Sequence, residues 1–193
     1  MIDPLYAFVF AGLFSPGPNV IMLTASGAQF GFRRTLPHLL GVALGVGVIA
    51  GLTGLGIGTL LSAYPQLDLS LRIIAAAWIL WMAWQLWMST FGPKSEHREK
   101  PFTFVQAVLF QWVNPKIWAV ALTASSAYSA GLTPFGEAAR LASAFSGVNL
   151  FVCLFWTSAG SLLAYLLTRP MVWRIFMRAM ALALAATAVM VFT

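Results

Sequence analysis

The chain has 193 residues, 60% of them hydrophobic and only 8% charged, with a formal net charge of +6. Soluble domains run near a quarter charged, so this balance excludes an ordinary water-soluble fold and points to a lipid bilayer. The basic residues flank apolar segments, which makes the positive charge a mark of anchoring at the inner membrane surface and not of nucleic-acid binding.

In chain order, Met1-Ile2-Asp3-Pro4 places no basic region ahead of the first apolar run, so a cleaved secretory signal is not expected and the first helix should be retained. Six candidate spans follow: Leu5–Gly27, Leu39–Leu61, Leu69–Thr90, Phe104–Ser126, Leu141–Leu167 and Val172–Phe192. Spans of about 20 apolar residues are what a bilayer requires. The alternating pattern of a membrane barrel is absent, which leaves helices as the spanning elements. The segments between them fix an orientation. Arg33, Arg34, Lys94, Arg98, Lys100, Arg169, Arg174 and Arg178 fall on one side, and only Arg72 and Arg140 on the other. Eight against two predicts that both termini face away from the cytoplasm. Arg174 and Arg178 intrude on the first turns of the last span and read as snorkelling anchors.

The second span carries the small-residue pairs Gly41/Gly45, Gly47/Gly51 and Gly54/Gly58. They predict close helix packing, inside the bundle or across a homodimer. Trp78, Trp81, Trp84 and Trp87 recur every three residues in the third span, a spacing that drifts around a helix and suits packing and interface anchoring. The one hydrophilic linker, Gly92–Pro101, divides the chain nearly in half. Shifting the chain by 99 positions lays residues 1–94 on 100–193. Ser15-Pro16 then falls on Asn114-Pro115, and Leu23-Thr24-Ala25-Ser26 on Leu122-Thr123-Ala124-Ser125. The expected fold is therefore an all-α integral membrane domain over 1–193, with six transmembrane helices in two three-helix repeats. A three-span repeat inserts in opposite directions, which makes the repeats inverted.

Each repeat is broken in its first span. Proline removes a backbone donor and disfavours helical geometry at the residue before it. Ser15-Pro16 and Asn114-Pro115 each read as an N-cap followed by proline at the first helical position, so each begins a half-helix inside the membrane. Gly17 and Pro18 make the first break more irregular. In an inverted arrangement the two half-helix N-termini converge near the midplane, each with unpaired N–H groups and roughly half a positive charge. Lys116 adds a full charge at a depth where one costs ~2.5–3.5 kcal/mol, which makes it a functional residue by default. A small carboxylate is the expected guest. Gln111, Asn114 and Trp118 would share a face if the fourth span were continuous; Asn149 and Trp156 in the fifth are weaker candidates. No span has a carboxylate in its core, so Lys116 and His38 are the groups left to carry a coupling proton. With two histidines and one cysteine, Cys153, the chain has no metal-ligand cluster and no intramolecular disulfide. It also lacks a phosphate loop and a nucleophile–base set, so neither a cofactor nor an enzymatic activity is expected.

The run Ser15-Pro16-Gly17-Pro18-Asn19 through Gly31-Phe32-Arg33-Arg34 to Gly41 and Gly45 is similar to the N-terminal signature of the LysE/RhtB family of amino-acid exporters. Asn114-Pro115-Lys116 resembles that family's Asn-Pro-Lys motif. The resemblance implies six spans in a bacterial inner membrane and efflux of amino acids or related metabolites driven by the proton gradient. Thr35, where a glycine often follows the basic pair, and Met177, where many relatives have asparagine, depart from the pattern. The expectation is an exporter of amino-acid-like solutes working by proton antiport and alternating access. Ser15, Pro16, Gly17, Pro18, Asn19, Asn114, Pro115 and Lys116 would hold the carboxylate end, and Gln111 and Trp118 would shape the side-chain pocket. The rival reading is a non-transporting membrane subunit that binds a partner through its glycine faces.

Overall fold

The computed structural model describes residues 3–57, 65–89 and 100–189. Gly58, Lys94, Arg98, most of the hydrophilic linker and the ends of the second, third and sixth expected spans lie outside the described residues. Among the described residues every regular element is a helix: α1 (Pro4–Phe14), α2 (Pro18–Phe30), α3 (Phe32–Gly54), α4 (Pro65–Trp87), α5 (Phe104–Val113), α6 (Pro115–Ala127), α7 (Pro134–Leu163) and α8 (Pro170–Val189). Six of these eight begin on proline, whose missing N–H costs nothing at a first helical position. Proline in this chain starts helices more than it kinks them; Pro37, in the second turn of α3, lies inside one. Side chains finish several of these starts. Asp3 accepts from the Leu5 N–H at 3.0 Å, Thr133 accepts from the Gly136 N–H at 3.3 Å, and Thr103 with Gln106 closes a reciprocal capping box on α5.

Four helices, α3, α4, α7 and α8, are long and apolar enough to cross a membrane, and α1 with α2, bent by 60° at their break, makes a fifth. The fourth expected span is cut at Asn114 into helices of 10 and 13 residues, neither long enough to cross alone. The chain is a multi-pass helical membrane protein.

Helix α3 is the centre of the bundle. It packs most extensively on α7 and also against α5 and α6, while α7 carries α1 and α2, and α4 lies on α8. Val42, Val46 and Ile49 of α3 meet Leu13 of α1 and Phe145 of α7 in the main core. The glycines of α3 make these approaches possible. A Cβ on Gly45 would stand 2.7 Å from Gln111 Cγ and 3.0 Å from Val108 Cα of α5, and one on Gly47 would overlap Ser146 of α7. Gly41 and Gly45 thus seat α5, while Gly47, Gly51 and Gly54 seat α7.

The outer surface is apolar, as hydrocarbon solvent requires. Leu40 and Leu44 of α3 and Trp81 and Trp84 of α4 are about half exposed. Trp78 turns inward to pack edge-on against Phe110, and the Arg178 guanidinium lies 4.8 Å from the centre of the Trp87 ring. At one end of the bundle Arg140 pairs with Asp3 and donates to the Tyr128 carbonyl at 2.7 Å, tying the start of α1 to the α6–α7 turn. The Arg140 hydrogen bond, helped by the Leu5 N–H, holds the Asp3 carboxyl below the usual carboxylate range.

Candidate functional site

The first break is wider than the Ser15-Pro16 pair suggests. Ser15 caps the end of α1 with extended backbone (φ −61°, ψ 146°), the geometry that a following proline imposes. Its hydroxyl donates back to the Gly12 carbonyl at 2.9 Å. With Pro16 and Pro18 two positions apart, the chain cannot resume a helix until the second proline. Gly17 is therefore the N-cap of α2 and Pro18 its first residue, a correction to the expectation that Ser15 caps this half-helix. The second break is a single residue. Asn114 (φ −83°, ψ 102°) ends α5 and begins α6, with Pro115 at the first helical position as expected. Its side chain caps nothing; it turns back and donates from Nδ2 to Gln111 Oε1 at 3.3 Å.

The two breaks meet. Lys116 reaches across to donate to the Ser15 carbonyl at 2.5 Å and, more weakly, towards the Pro16 carbonyl at 3.4 Å. These carbonyls are left over where α1 ends, at the negative end of its dipole, so they compensate the ammonium. The lysine side chain passes close over Gly17, where a Cβ would lie 2.8 Å from Lys116 Cδ and the flexible side chain would have to shift. Beside this contact Asn19 and Gln111 exchange amide hydrogen bonds of 2.9 and 3.1 Å, and Gln111 Nε2 also donates to the Ala107 carbonyl at 3.0 Å. Both Asn19 amide groups and both Gln111 groups are thereby used. Between the breaks and α7 lies a cavity of about 10 Å³, walled by Gly17, Asn19, Asn114, Lys116, Asn149 and Trp156 with apolar neighbours. That is room for about one water molecule, so this conformation is closed.

A family model for LysE type translocators matches residues 10–193. The chain belongs to the LysE type translocator family. The cysteine/O-acetylserine efflux protein of Salmonella typhimurium strain LT2 is 29% identical over 129 residues, which are 66% of this chain and 65% of that protein. The membrane protein YahN of Escherichia coli strain K12 is 29% identical over 116 residues, 57% of this chain and 52% of YahN. The membrane protein PA4757 of Pseudomonas aeruginosa is 36% identical over 67 residues, 35% of this chain and 31% of PA4757. The chain spans at most about two thirds of the length of these relatives. No solved structure matches it. The family is one of translocators and not of enzymes.

Within this LysE type translocator, Gly17, Asn19, Asn114 and Lys116 line the cavity, with Ser15, Pro16, Pro18 and Pro115 forming the backbone of the two breaks. Gln111 stands behind Asn19 as its fastener, outside the lining. Trp118 is not among the residues that line the cavity. Its indole instead donates to the Trp112 carbonyl at 2.9 Å, closing the end of α5. His38 is separate from the breaks. It is buried in α3 against Phe102, and it lines a larger cleft of about 560 Å³ with Ser26, Gln29, Gln85 and Lys100. Helix α7 contributes more than its weak sequence signal suggests: Asn149, Cys153 and Trp156 all reach the cavity. Their spacing, i, i+4 and i+7, is the stripe that marks them.

Proposed function

We propose that this chain is a secondary-active exporter of amino acids or closely related small metabolites across the bacterial cytoplasmic membrane. It works by proton antiport and alternating access between two inverted three-helix repeats, with six spans when α5 and α6 count as one broken span. The observation that carries this reading is Lys116, a partly buried cation in the first turn of α6 that reaches across to the break ahead of α2. A substrate carboxylate can take over the ammonium from the Ser15 carbonyl, and the N-termini of α2 and α6 favour the same charge. The efflux protein among the relatives supports export as the direction and an amino-acid-like cargo.

Two features support the repeat. The order of short, short, long and long helices in α1–α4 recurs in α5–α8. Packing is reciprocal as well, since α3 lies against α5 and α6 while its counterpart α7 lies against α1 and α2. Basic residues stacked on aromatic rings, Arg34 near Phe30 and Arg178 near Trp87, support a cytoplasmic interface at that end and non-cytoplasmic termini. For coupling, Lys116 is one candidate, and His38 in its cleft is the other. The partner-subunit and homodimer readings rested on the glycine pairs, and Gly41, Gly45, Gly47, Gly51 and Gly54 are packed against α5 and α7.

The test is Lys116→Ala in inside-out vesicles offered a mixed amino-acid pool, with and without a pH gradient. The variant should insert normally and lose gradient-dependent accumulation. Wild-type transport by Lys116→Ala would overturn the proposal.

A further inference from the structure

Two buried polar atoms on the wall of the closed cavity have no hydrogen-bond partner: Asn114 Oδ1, on a fully buried residue, and Trp156 Nε1. Buried polar atoms without partners are rare, and each asks for an explanation. Here both border the same space as Lys116. The indole is held in place beside the first break, its ring 5.2 Å from that of Phe14, the last residue of α1, and 5.4 Å from that of Phe155. The three groups divide by chemistry. An indole N–H can only donate, an ammonium can only donate and has three hydrogens for its two carbonyl partners, and Asn114 Oδ1 can only accept. A guest satisfying all three presents an anionic acceptor on one side and a donor on the other.

We infer that Trp156 and Asn114 read the two ends of a zwitterionic α-amino acid whose side chain is small and uncharged. The inference rests on the exporter reading and deepens it. The carboxylate accepts from Lys116 Nζ and Trp156 Nε1, and the ammonium donates to Asn114 Oδ1. The side chain then faces Leu13, Val20, Leu23, Ile117, Val152 and Cys153. That wall holds no carboxylate for a cationic side chain and no second cation for an anionic one. A charged side chain would enter unpaired, at a high desolvation cost. Even alanine requires the helices to part around a free space of about 10 Å³, and each further methylene adds to the volume that must be opened against packed side chains.

The experiment is uptake of labelled L-alanine, L-serine and L-cysteine into inside-out vesicles, with unlabelled alanine, ethylamine, propionate, lysine and aspartate as competitors. Ethylamine keeps the ammonium with no acceptor at the other end, and propionate keeps the carboxylate with no donor. In wild type both should compete at least about tenfold more weakly than alanine, the loss expected when a hydrogen bond to a charged end is missing. Lysine and aspartate should not compete. Trp156→Phe should weaken alanine about tenfold and leave ethylamine unchanged. Should Trp156→Phe fail to insert, Asn114→Leu reads the other end: it should weaken alanine and leave propionate unchanged. Equal competition by lysine or aspartate overturns the inference, as does a properly inserted variant with unchanged analogue preferences. In either case uptake itself persists and the exporter reading stands. Absence of protein-dependent uptake of every amino acid in wild type would remove both.

Discussion

The Asn19–Gln111 pair joins α2 of the first half to α5 of the second, and its strength can be measured by a double-mutant cycle. Gln111→Leu keeps the volume nearly constant. It removes two hydrogen bonds to Asn19, of 2.9 and 3.1 Å, the 3.3 Å bond from Asn114 and the 3.0 Å bond to the Ala107 carbonyl. Side-chain hydrogen bonds between membrane helices average about 0.6 kcal/mol, because the unfolded chain in a micelle also finds partners. At that value the four come to roughly 2.4 kcal/mol for Gln111→Leu, and the two lost in Asn19→Leu to roughly 1 kcal/mol. The same two bonds are counted in both single variants, so the double variant should be less destabilised than the sum by about 1 kcal/mol. Reversible unfolding in mixed micelles titrated with a denaturing detergent, followed by far-ultraviolet circular dichroism, gives all three values. Destabilisations that add to within about 0.4 kcal/mol would show that the two amides are energetically independent, and the bridge between the halves would have to be abandoned.

Two other expectations can be checked with the same purified protein. Gly45→Ala puts a Cβ against Gln111 and against the backbone at Val108, so it should cost about 1–3 kcal/mol and lower the thermal midpoint in micelles. Gly147→Ala, where a Cβ meets nothing within 4 Å, should be neutral or stabilise α7 by up to about 1 kcal/mol; similar behaviour of the two variants would refute the α3–α5 seat. For Asp3, the folded-state pKa lies below the value of 3.8 for the free group, because Arg140 hydrogen-bonds the carboxylate. Its contribution to stability is therefore complete above that value and is lost as pH falls through the folded pKa. Thermal midpoints measured from about pH 6 down to about pH 2 should converge between wild type and Asp3→Asn at the acid end. A gap that is constant with pH would remove the ion pair as its cause.

What the sequence by itself determined are properties of a short stretch of backbone. Apolar length decides which segments enter the bilayer, and proline, lacking an N–H, decides where a helix has to begin, so the breaks near Pro16 and at Pro115 and the all-helical class were legible. Even there the local rule needed the whole motif: with Pro16 and Pro18 both present, the cap moved from Ser15 to Gly17. Lys116 stood out by its depth alone, since a charge buried in an apolar run demands a partner wherever that partner lies. Who the partner is could be decided only by tertiary structure. The ammonium goes to the Ser15 carbonyl across the first break, and Gln111 spends its amide on Asn19 where Gly45 lets α5 sink onto α3. Trp156 reaches the same cavity from a helix some forty positions further along, while the indole of Trp118, two residues from Lys116, bonds the Trp112 carbonyl at the end of α5. Sequence spacing describes one helix at a time; the crossing of helices at small residues brings distant faces together, and that geometry is a product of packing.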